Sequence, residues 1–386
     1  MDGQQQDSTK RKIRVGVLFG GRSGEHEVSL MSARSVISAM DPERYKIVEV
    51  GITKDGQWIT GPAMAQLQAG DSNAYPAAFL PDPQSSALMQ VESKNKQVAE
   101  LSEVSELDVI MPILHGTYGE DGTVQGLLEL ASLPYVGAGV VGSAVAMDKA
   151  IFKYVMEANG IPVVDWKLVT EEMWRSHSQG VLDAIEAKLE YPVFTKPANL
   201  GSSVGISKCH NRTELESGIE EALQYDRRLV VEQGIAAREL EVAVLGNDDP
   251  IASIVGEIRP RREFYDYVAK YIAPAGSEDE SELLIPAEID EEMSNAVREM
   301  AVRAYEAIDC AGMGRVDLML DRDSGLLFMN EINTIPGFTK ISMYPKLWEA
   351  TGLSYSALLD RLIELAIERH EQKSKLKTNF DVGQAT

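Results

Sequence analysis

The sequence predicts a chain of α/β and α+β units that opens on a parallel sheet. Three observations carry this. "IRVGVLFGG" (13–21), "HEVSLMSARSVISAM" (26–40) and "YKIVEVGIT" (45–53) read as strand, helix and strand, the order of a βαβ unit and hence of parallel pairing. From residue 190 the texture changes to short strands with loops, "YPVFTKP", "RLVVEQ", "ELEVAVLG" and "PIASIVGEI", which suits an antiparallel α+β arrangement. The 386 residues exceed one ordinary domain, so two or three are expected.

The elements follow in order. Residues 70–105 are polar and proline-containing and are expected to be loop with short irregular pieces. "LDVIMPIL" (107–114) is a buried strand that ends at His115 in "HGTYGEDG" and turns into a helix. Near 145 the texture shifts, and "AMDKAIFKYVMEANGIP" predicts an amphipathic helix ending at Gly160. A polar stretch, 259–282, interrupts the later strands. The segment 290–308 carries Met293, Val297, Met300, Ala304 and Ile308 on one helical stripe. "RVDLML" and "LLFMNEIN" are strands, and a helix near 354–371 closes the chain. We divide the chain at 13–145, 146–232 and 233–372, with frayed tails at 1–12 and 373–386.

Composition excludes several classes of function. Apolar residues make up 44% and charged ones 25%, within the range of a soluble globular chain. The net charge of −23 repels nucleic acid and anionic membrane, so neither is an expected partner and any anionic substrate must meet locally placed cations. No stretch approaches the ~20 apolar residues of a membrane span, and "MDGQQQDSTKRK" has no apolar core of a signal peptide. Cys209 and Cys310 are too few for a disulfide framework or a four-ligand zinc site. Two unpaired core thiols fit a reducing, cytoplasmic setting.

The chemistry concentrates in a few stretches. In "FMNEINTIPGF" (328–338) Glu331 and Asn333 alternate onto the same face of a strand. Antiparallel pairing with "GRVDLML" would bring Asp317 beside Glu331. Two carboxylates and an amide oxygen suit Mg²⁺, which takes few hard protein ligands and shares its shell with phosphates and water. A capped strand end with a satisfied polar pair would explain one asparagine, but less well two acids and Arg315 converging there.

"TKPANLGSSVGI" (195–206) ends a strand on Lys196 and opens a Gly/Ser loop whose backbone N–H groups can cradle phosphate. It is no Walker motif, and alone it could be a plain turn; beside a Mg²⁺ site it points to ATP. Glu232 and Glu239, in "VVEQGI" and "RELEV", could serve adenine or ribose, although solvated surface acids are the commoner case. "GGRSGEHEVS" lacks GxGxxG spacing, which removes a dinucleotide dehydrogenase. It still presents a helix N-terminus to a carboxylate, with Glu25 placed to receive an ammonium group. His115 ends a strand at the same sheet edge, where ligands of open α/β sheets bind.

Six blocks in order, "GGRSGEHEVSL", "HGTYGEDGTVQG", "TKPANLGSSVG", "FYDYVAKY", "GMGRVDLML" and "NEINTIPGF", resemble the D-alanine–D-alanine ligase family from about residue 13 to about 370. The resemblance implies an ATP-grasp fold with an N-terminal Rossmann-like parallel-sheet domain, and ATP-dependent ligation of two D-alanines for peptidoglycan. It makes Asp317, Glu331 and Asn333 the ligands of two Mg²⁺ ions, with Mn²⁺ as a substitute. Lys149, Lys196 and Lys270, with Ser203, would hold the ATP phosphates. Glu232, Gln233, Ile235 and Glu239 would bind adenine and ribose, Phe264 and Met319 would flank the base, and Asn330 joins the nucleotide set. Glu25 would orient the first D-alanine's ammonium group, in a triad with Ser202 and Tyr271, with His115 nearby. Arg315 and the Gly337 amide would stabilise the oxyanion, and Ser342 and Met343 would receive the second D-alanine's carboxylate.

Gln233 stands where relatives often carry lysine, which affects only a side-chain contact to the base. The 259–282 stretch resembles a lid loop, and its Tyr271, where ligases making D-alanyl-D-lactate carry histidine, favours the dipeptide. The resemblance also implies a homodimer joined through the N-terminal domains. The alternatives are another ATP-grasp ligase, making the D-lactate or D-serine product, and a nucleotide-binding module without chemistry. The latter should have lost one of Asp317, Glu331, Arg315 or Asn333, and all are present.

Overall fold

Strand β1 (Ile13–Gly20) is apolar at nearly every position because both of its faces are covered. Val15, Val17 and Phe19 enter one core cluster and Leu18 enters another. A computed structural model of the chain describes residues 11–70, 75–94, 97–201, 203–259 and 282–378. In it β1 pairs in parallel with β2 (Tyr45–Ile52) and with β7 (Val109–Ile113), and α1 (His26–Ala39) covers it. The βαβ expectation therefore holds, and the carboxyl ends of β1 and β7 share one edge.

Residues 70–105 depart from expectation. They contain β4 (Tyr75–Phe79), β5 (Ala87–Lys94) and β6 (Gln97–Glu106), which with β3 (Trp58–Thr60) extend the sheet to seven strands in the order β6-β5-β4-β3-β2-β1-β7. These outer strands are antiparallel. Each pairs with the strand next to it in the sequence, and they bury few side chains, so local composition did not betray them. A short α2 (Ala63–Ala69) lies between β3 and β4, and α3 (Thr123–Leu130) follows β7.

The single helix expected from residue 146 is two helices, α4 (Val140–Met147) and α5 (Lys149–Ala158), broken at Asp148. The Asp148 carboxylate caps α5 by accepting from the Ala150 and Ile151 N–H groups at 3.1 and 3.0 Å and also pairs with Arg228. Asp148→Ala is expected to lower the unfolding free energy by about 1–2 kcal/mol, the cost of a lost N-cap, as measured by urea titration.

The second sheet runs β10 (Ser207–Cys209), β9 (Val193–Pro197), β11 (Arg228–Gln233), β8 (Trp166–Thr170), all antiparallel. One face carries Val169, Val193, Leu229 and Val231, packed against α6 (Glu171–Glu186) and α7 (Arg212–Ala222). The other carries Val230 and Glu232 of β11 and, paired with them, Lys196 and Phe194 of β9. This face looks toward α5, whose Ala150 clusters with Trp166 and Val230.

The third sheet is antiparallel, in the order β14 (Glu282–Leu284), β13 (Ile251–Arg259), β12 (Ala237–Gly246), β15 (Gly312–Asp321), β16 (Leu327–Asn333). Its buried face, including Leu240, Val242, Val316, Leu318, Met329 and Ile332, packs on α8 (Glu291–Ala307) through Val297, Ala301, Ala304 and Tyr305. The expected stripe on this helix is borne out, with Met293 and Met300 partly buried at its edge. The chain closes with α9 (Met343–Thr351) and α10 (Tyr355–Ser374). Their Tyr344, Leu347, Trp348, Leu358 and Leu362 share one cluster with Val15, Val17 and Phe19 of β1, so the last helices and the first sheet have a common core. Cys209 and Cys310 are buried and unpaired, and burial pushes the thiols up to about 11 and about 12. Among the described residues no helix is long and apolar enough to cross a membrane.

Candidate active site

The pairing expected at the opening of the site is present. In the β15–β16 ladder Asp317 lies opposite Glu331 and Arg315 opposite Asn333. On the other side β12 sets Glu241 opposite Asp317 and Glu239 opposite Met319. Residues directly opposite in antiparallel strands share a face. The open face of the sheet therefore carries Glu239, Met319 and Phe328 on one rung, Glu241, Asp317 and Glu331 on the next, and Arg315 and Asn333 beyond.

A β-bulge makes this possible. The register shifts between Asp317 and Leu318, so Asn330 is the extra residue. Strict alternation would put Phe328 and Glu331 on opposite faces; with Asn330 inserted, both reach the open face while Met329 and Ile332 stay buried.

Arg315 holds Asp317 in a two-pronged pair, Nε to Oδ1 and Nη2 to Oδ2, each 2.7 Å, and its Nε lies 3.0 Å from Glu241 Oε2. The Asn333 amide donates to Asp317 Oδ2 at 2.9 Å. Among the described residues no three His, Cys, Asp or Glu side chains form a metal cage. The set is two carboxylates and an amide. That sparse oxygen donor set fits Mg²⁺ shared with phosphate oxygens.

The lysines approach from α5 and from the second sheet. Lys196 Nζ lies 2.7 Å from Glu232 Oε2, and Lys153 Nζ lies 3.1 Å from Glu232 Oε1. Glu232 and Lys153 are almost wholly buried, with side-chain exposures of 5% and 1%. Burial pushes the Glu232 carboxyl up, but Lys153 and Lys196 outweigh it and hold the group at about 2. Burial holds Lys153 and Lys149 below the ordinary lysine range. Lys196 is raised, because Glu232, Glu331 and Glu239 overcome its burial. Lys149 donates to the Leu200 carbonyl at 2.6 Å, tying the helix to the base of the Gly/Ser loop. Ser203 in that loop has a left-handed φ of 59°.

The third contribution comes from the first sheet. Glu25 is buried at the N-terminus of α1, and its Oε2 would lie only 2.5 Å from a Cβ at Gly116 and 3.3 Å from one at Gly201. The Gly/Ser loop thus reaches Glu25, and the closer approach, at Gly116 with its φ of 75°, requires glycine. His115 follows the end of β7 by two residues, and Ser23 Oγ donates to its carbonyl at 2.8 Å. Its Nδ1 is 3.0 Å from the Ile335 carbonyl and its Nε2 3.1 Å from Ser32 Oγ. A carbonyl only accepts, so Nδ1 carries the proton and Nε2 accepts from Ser32. Burial holds the imidazole below its ordinary range, consistent with this neutral form.

Two family models match the chain: D-ala D-ala ligase N-terminus over residues 14–138, and D-ala D-ala ligase C-terminus over residues 155–364. The chain belongs to the D-alanine–D-alanine ligase family. It is 47% identical to the D-alanine–D-alanine ligase of Natranaerobius thermophilus, covering 96% of this chain and 99% of that one. It is 45% identical to that of Geobacillus thermodenitrificans, covering 96% and 100%. The D-alanine-D-alanine ligase structure from Coxiella burnetii superposes with a TM-score of 0.79 at 36% identity, over 94% of this chain and 96% of that one. The VanG D-Ala:D-Ser ligase from Enterococcus faecalis does so with a TM-score of 0.79 at 35% identity, over 92% and 100%. This family member therefore has the ATP-grasp fold and is an ATP-dependent ligase.

The structure of this ligase-family chain refines several expected residues. Glu232 is no solvated acid but the shared anion of two lysines. The Gln233 side chain is used locally, accepting from the Glu190 N–H and donating to the Glu190 carbonyl, each at 2.8 Å. Ile235 is half-buried on the turn into β12. Ser342 is the N-cap residue of α9, with its hydroxyl 2.8 Å from Thr339 Oγ1. The Met343 side chain is buried in the core, so its backbone N–H, one of the groups a helix start leaves without an intrahelical partner, is what it can offer a ligand. Gly337 lies in the turn between β16 and α9. Ser202, Phe264, Lys270 and Tyr271, with the rest of the expected lid at 260–281, lie outside the described residues.

Sequence reasoning missed three charged residues. Lys153 is one helical turn from Lys149 and so shares its face. Glu241 is two residues from Glu239 in the same strand and shares its face. Glu120 sits inside the quoted "HGTYGEDG" without a role assigned to it.

Proposed function

We propose that the chain joins two D-alanines into D-alanyl-D-alanine, converting ATP to ADP and phosphate, as a cytoplasmic step of peptidoglycan precursor synthesis. The observation that carries the reading is the open sheet face, where Asp317, Glu331, Asn333 and Arg315 are approached by Lys149 of α5 and Lys196 of the second sheet, both of which feel the Glu331 charge. The names of the relatives, matched along nearly their full length, support the substrate pair.

The chemistry follows from the poor electrophilicity of a carboxylate. Transfer of the γ-phosphoryl group to the first D-alanine's carboxylate gives an acyl phosphate, whose phosphate can leave. Lys149, Lys196 and the Ser203 loop neutralise and position the phosphates. Glu25 holds the first D-alanine's ammonium group. The second D-alanine's amine attacks the carbonyl carbon, Arg315 and the Gly337 N–H stabilise the oxyanion, the C–O bond to phosphate breaks, and the nitrogen gives up its proton. Ser342 and the Met343 N–H bind the second carboxylate. Two divalent ions, Mg²⁺ or Mn²⁺, held by Asp317, Glu331 and Asn333, would supply further charge neutralisation on the phosphoryl groups. Glu239, Met319, Gln233, Ile235 and Asn330 form the nucleotide side, with Glu232 acting by holding Lys196. The three-part division and a homodimer through the 13–145 unit belong to the same reading.

The test is phosphate release from ATP with D-alanine, L-alanine or no amino acid. Release is expected with D-alanine alone, with the dipeptide as product. A second assay at two pH values offers D-lactate or D-serine as acceptor. Preferential ester or D-serine product would overturn the choice of acceptor, and release without any amino acid would overturn the ligase.

A further inference from the structure

We infer that Glu120, acting with His115 and Ser32, is a positioning residue that clamps the Ile335–Phe338 turn and so aims the Gly337 N–H at the reacting carbonyl. The inference rests on the proposed ligase reading and adds to it residues that do not touch the substrate. Both backbone groups of Ile335 are gripped from the first sheet's loop. Its N–H donates to Glu120 Oε1 at 3.1 Å, and its carbonyl accepts from His115 Nδ1 at 3.0 Å. Glu120 is itself held, because Oε2 accepts from the Gly116 N–H at 2.7 Å.

Three residues on, the Phe338 N–H reaches Ser32 Oγ at 3.4 Å, and the Phe338 carbonyl accepts from the Tyr355 hydroxyl at 2.6 Å. Ser32 Oγ also meets His115 Nε2, so the two ends of the turn are tied to each other through one hydroxyl and one ring. Gly337 lies between these anchors, and every anchor except Tyr355 lies either in α1, whose N-cap is Glu25, or in the loop that follows β7. The clamp therefore sets the distance between the site of the first substrate's ammonium group and the oxyanion donor.

Such a device predicts a split between the two halves of the reaction. Phosphoryl transfer needs the lysines and Glu25; formation of the tetrahedral adduct needs Gly337. In Glu120→Gln the side-chain carbonyl still accepts one N–H, but the amide nitrogen faces the other donor and that bond is lost. D-alanine-dependent scrambling of ¹⁸O between bridging and non-bridging positions of ATP, which reports reversible acyl-phosphate formation, should stay near the wild-type rate. Dipeptide formation should fall by up to about 100-fold, the scale of a misplaced catalytic group. Hydrogen exchange of the 333–338 segment should quicken.

Parallel loss of scrambling and dipeptide, or an unchanged dipeptide rate, would overturn the clamp. Should Glu120→Gln not fold, Ser32→Ala removes only the hydroxyl link and must show the same split at smaller amplitude, or the clamp is again overturned. A wild-type chain that makes no dipeptide at all would instead sink the ligase reading itself.

Discussion

Arg315→Ala lowers kcat for dipeptide formation by about 100–1,000-fold, about 2.7–4 kcal/mol, the loss expected for one preorganised oxyanion donor. The measurement is steady-state product formation at saturating ATP and D-alanine. A second effect separates this from a general collapse of the site. Arg315 now neutralises Asp317 and lies 3.0 Å from Glu241, while Glu331 stands opposite Asp317. Removing the guanidinium leaves three adjacent carboxylates with less positive charge among them, so the Mg²⁺ concentration for half-maximal activity should fall even as kcat drops. Arg315→Lys keeps the charge but not the planar fork, and should recover only part of the rate. An unchanged kcat in the alanine variant would remove Arg315 from the chemistry.

Glu232→Leu lowers the unfolding free energy by about 3–5 kcal/mol, because it leaves the buried Lys153 charge without its partner and frees Lys196. Urea titration at pH 7 measures it. The sign of the pH dependence follows from the carboxyl's position at about 2 in the folded chain, below its ordinary 4.5. A depressed carboxylate contributes stability that is present above its unfolded value and lost as pH falls through its folded one. The gap between wild type and variant should therefore be full above pH 4.5 and close as pH falls toward 2. The double variant Glu232→Leu/Lys153→Met should regain most of the loss, since a well-packed apolar pair can replace a buried ion pair. It should still bind ATP weakly, because Lys196 has lost its anchor. A single variant as stable as wild type would show that the pair makes no net contribution.

Much of the site was legible. Glu331, Asn333 and Asp317 were readable because strand alternation and antiparallel pairing are local rules applied to two short apolar runs. Lys196 at a strand end and Glu25 after a glycine turn were readable for the same reason. The bulge at Asn330 was not, because its position depends on which residue of β15 faces which of β16. The partners of Glu232, which rule out a solvated acid, were not readable either. Its two lysines come from α5 and β9, 79 and 36 positions earlier (232 − 153 and 232 − 196). The outer strands between 75 and 106 were missed because polar and solvent-facing residues dominate the segment, so its apolar alternation is weak.

Taken alone, the sequence determined the periodicities, the order of strands and helices, and the chemical kinds of side chain available at each strand end, because these depend on neighbours a few residues apart. The tertiary structure alone decided which distant groups meet: Arg315 with Glu241, Lys153 and Lys196 on one carboxylate, and Ile335 gripped by Glu120 and His115. The physical reason is that electrostatic and hydrogen-bond energies vary over a few ångströms, whereas these partners lie 36 to 220 positions apart along the chain.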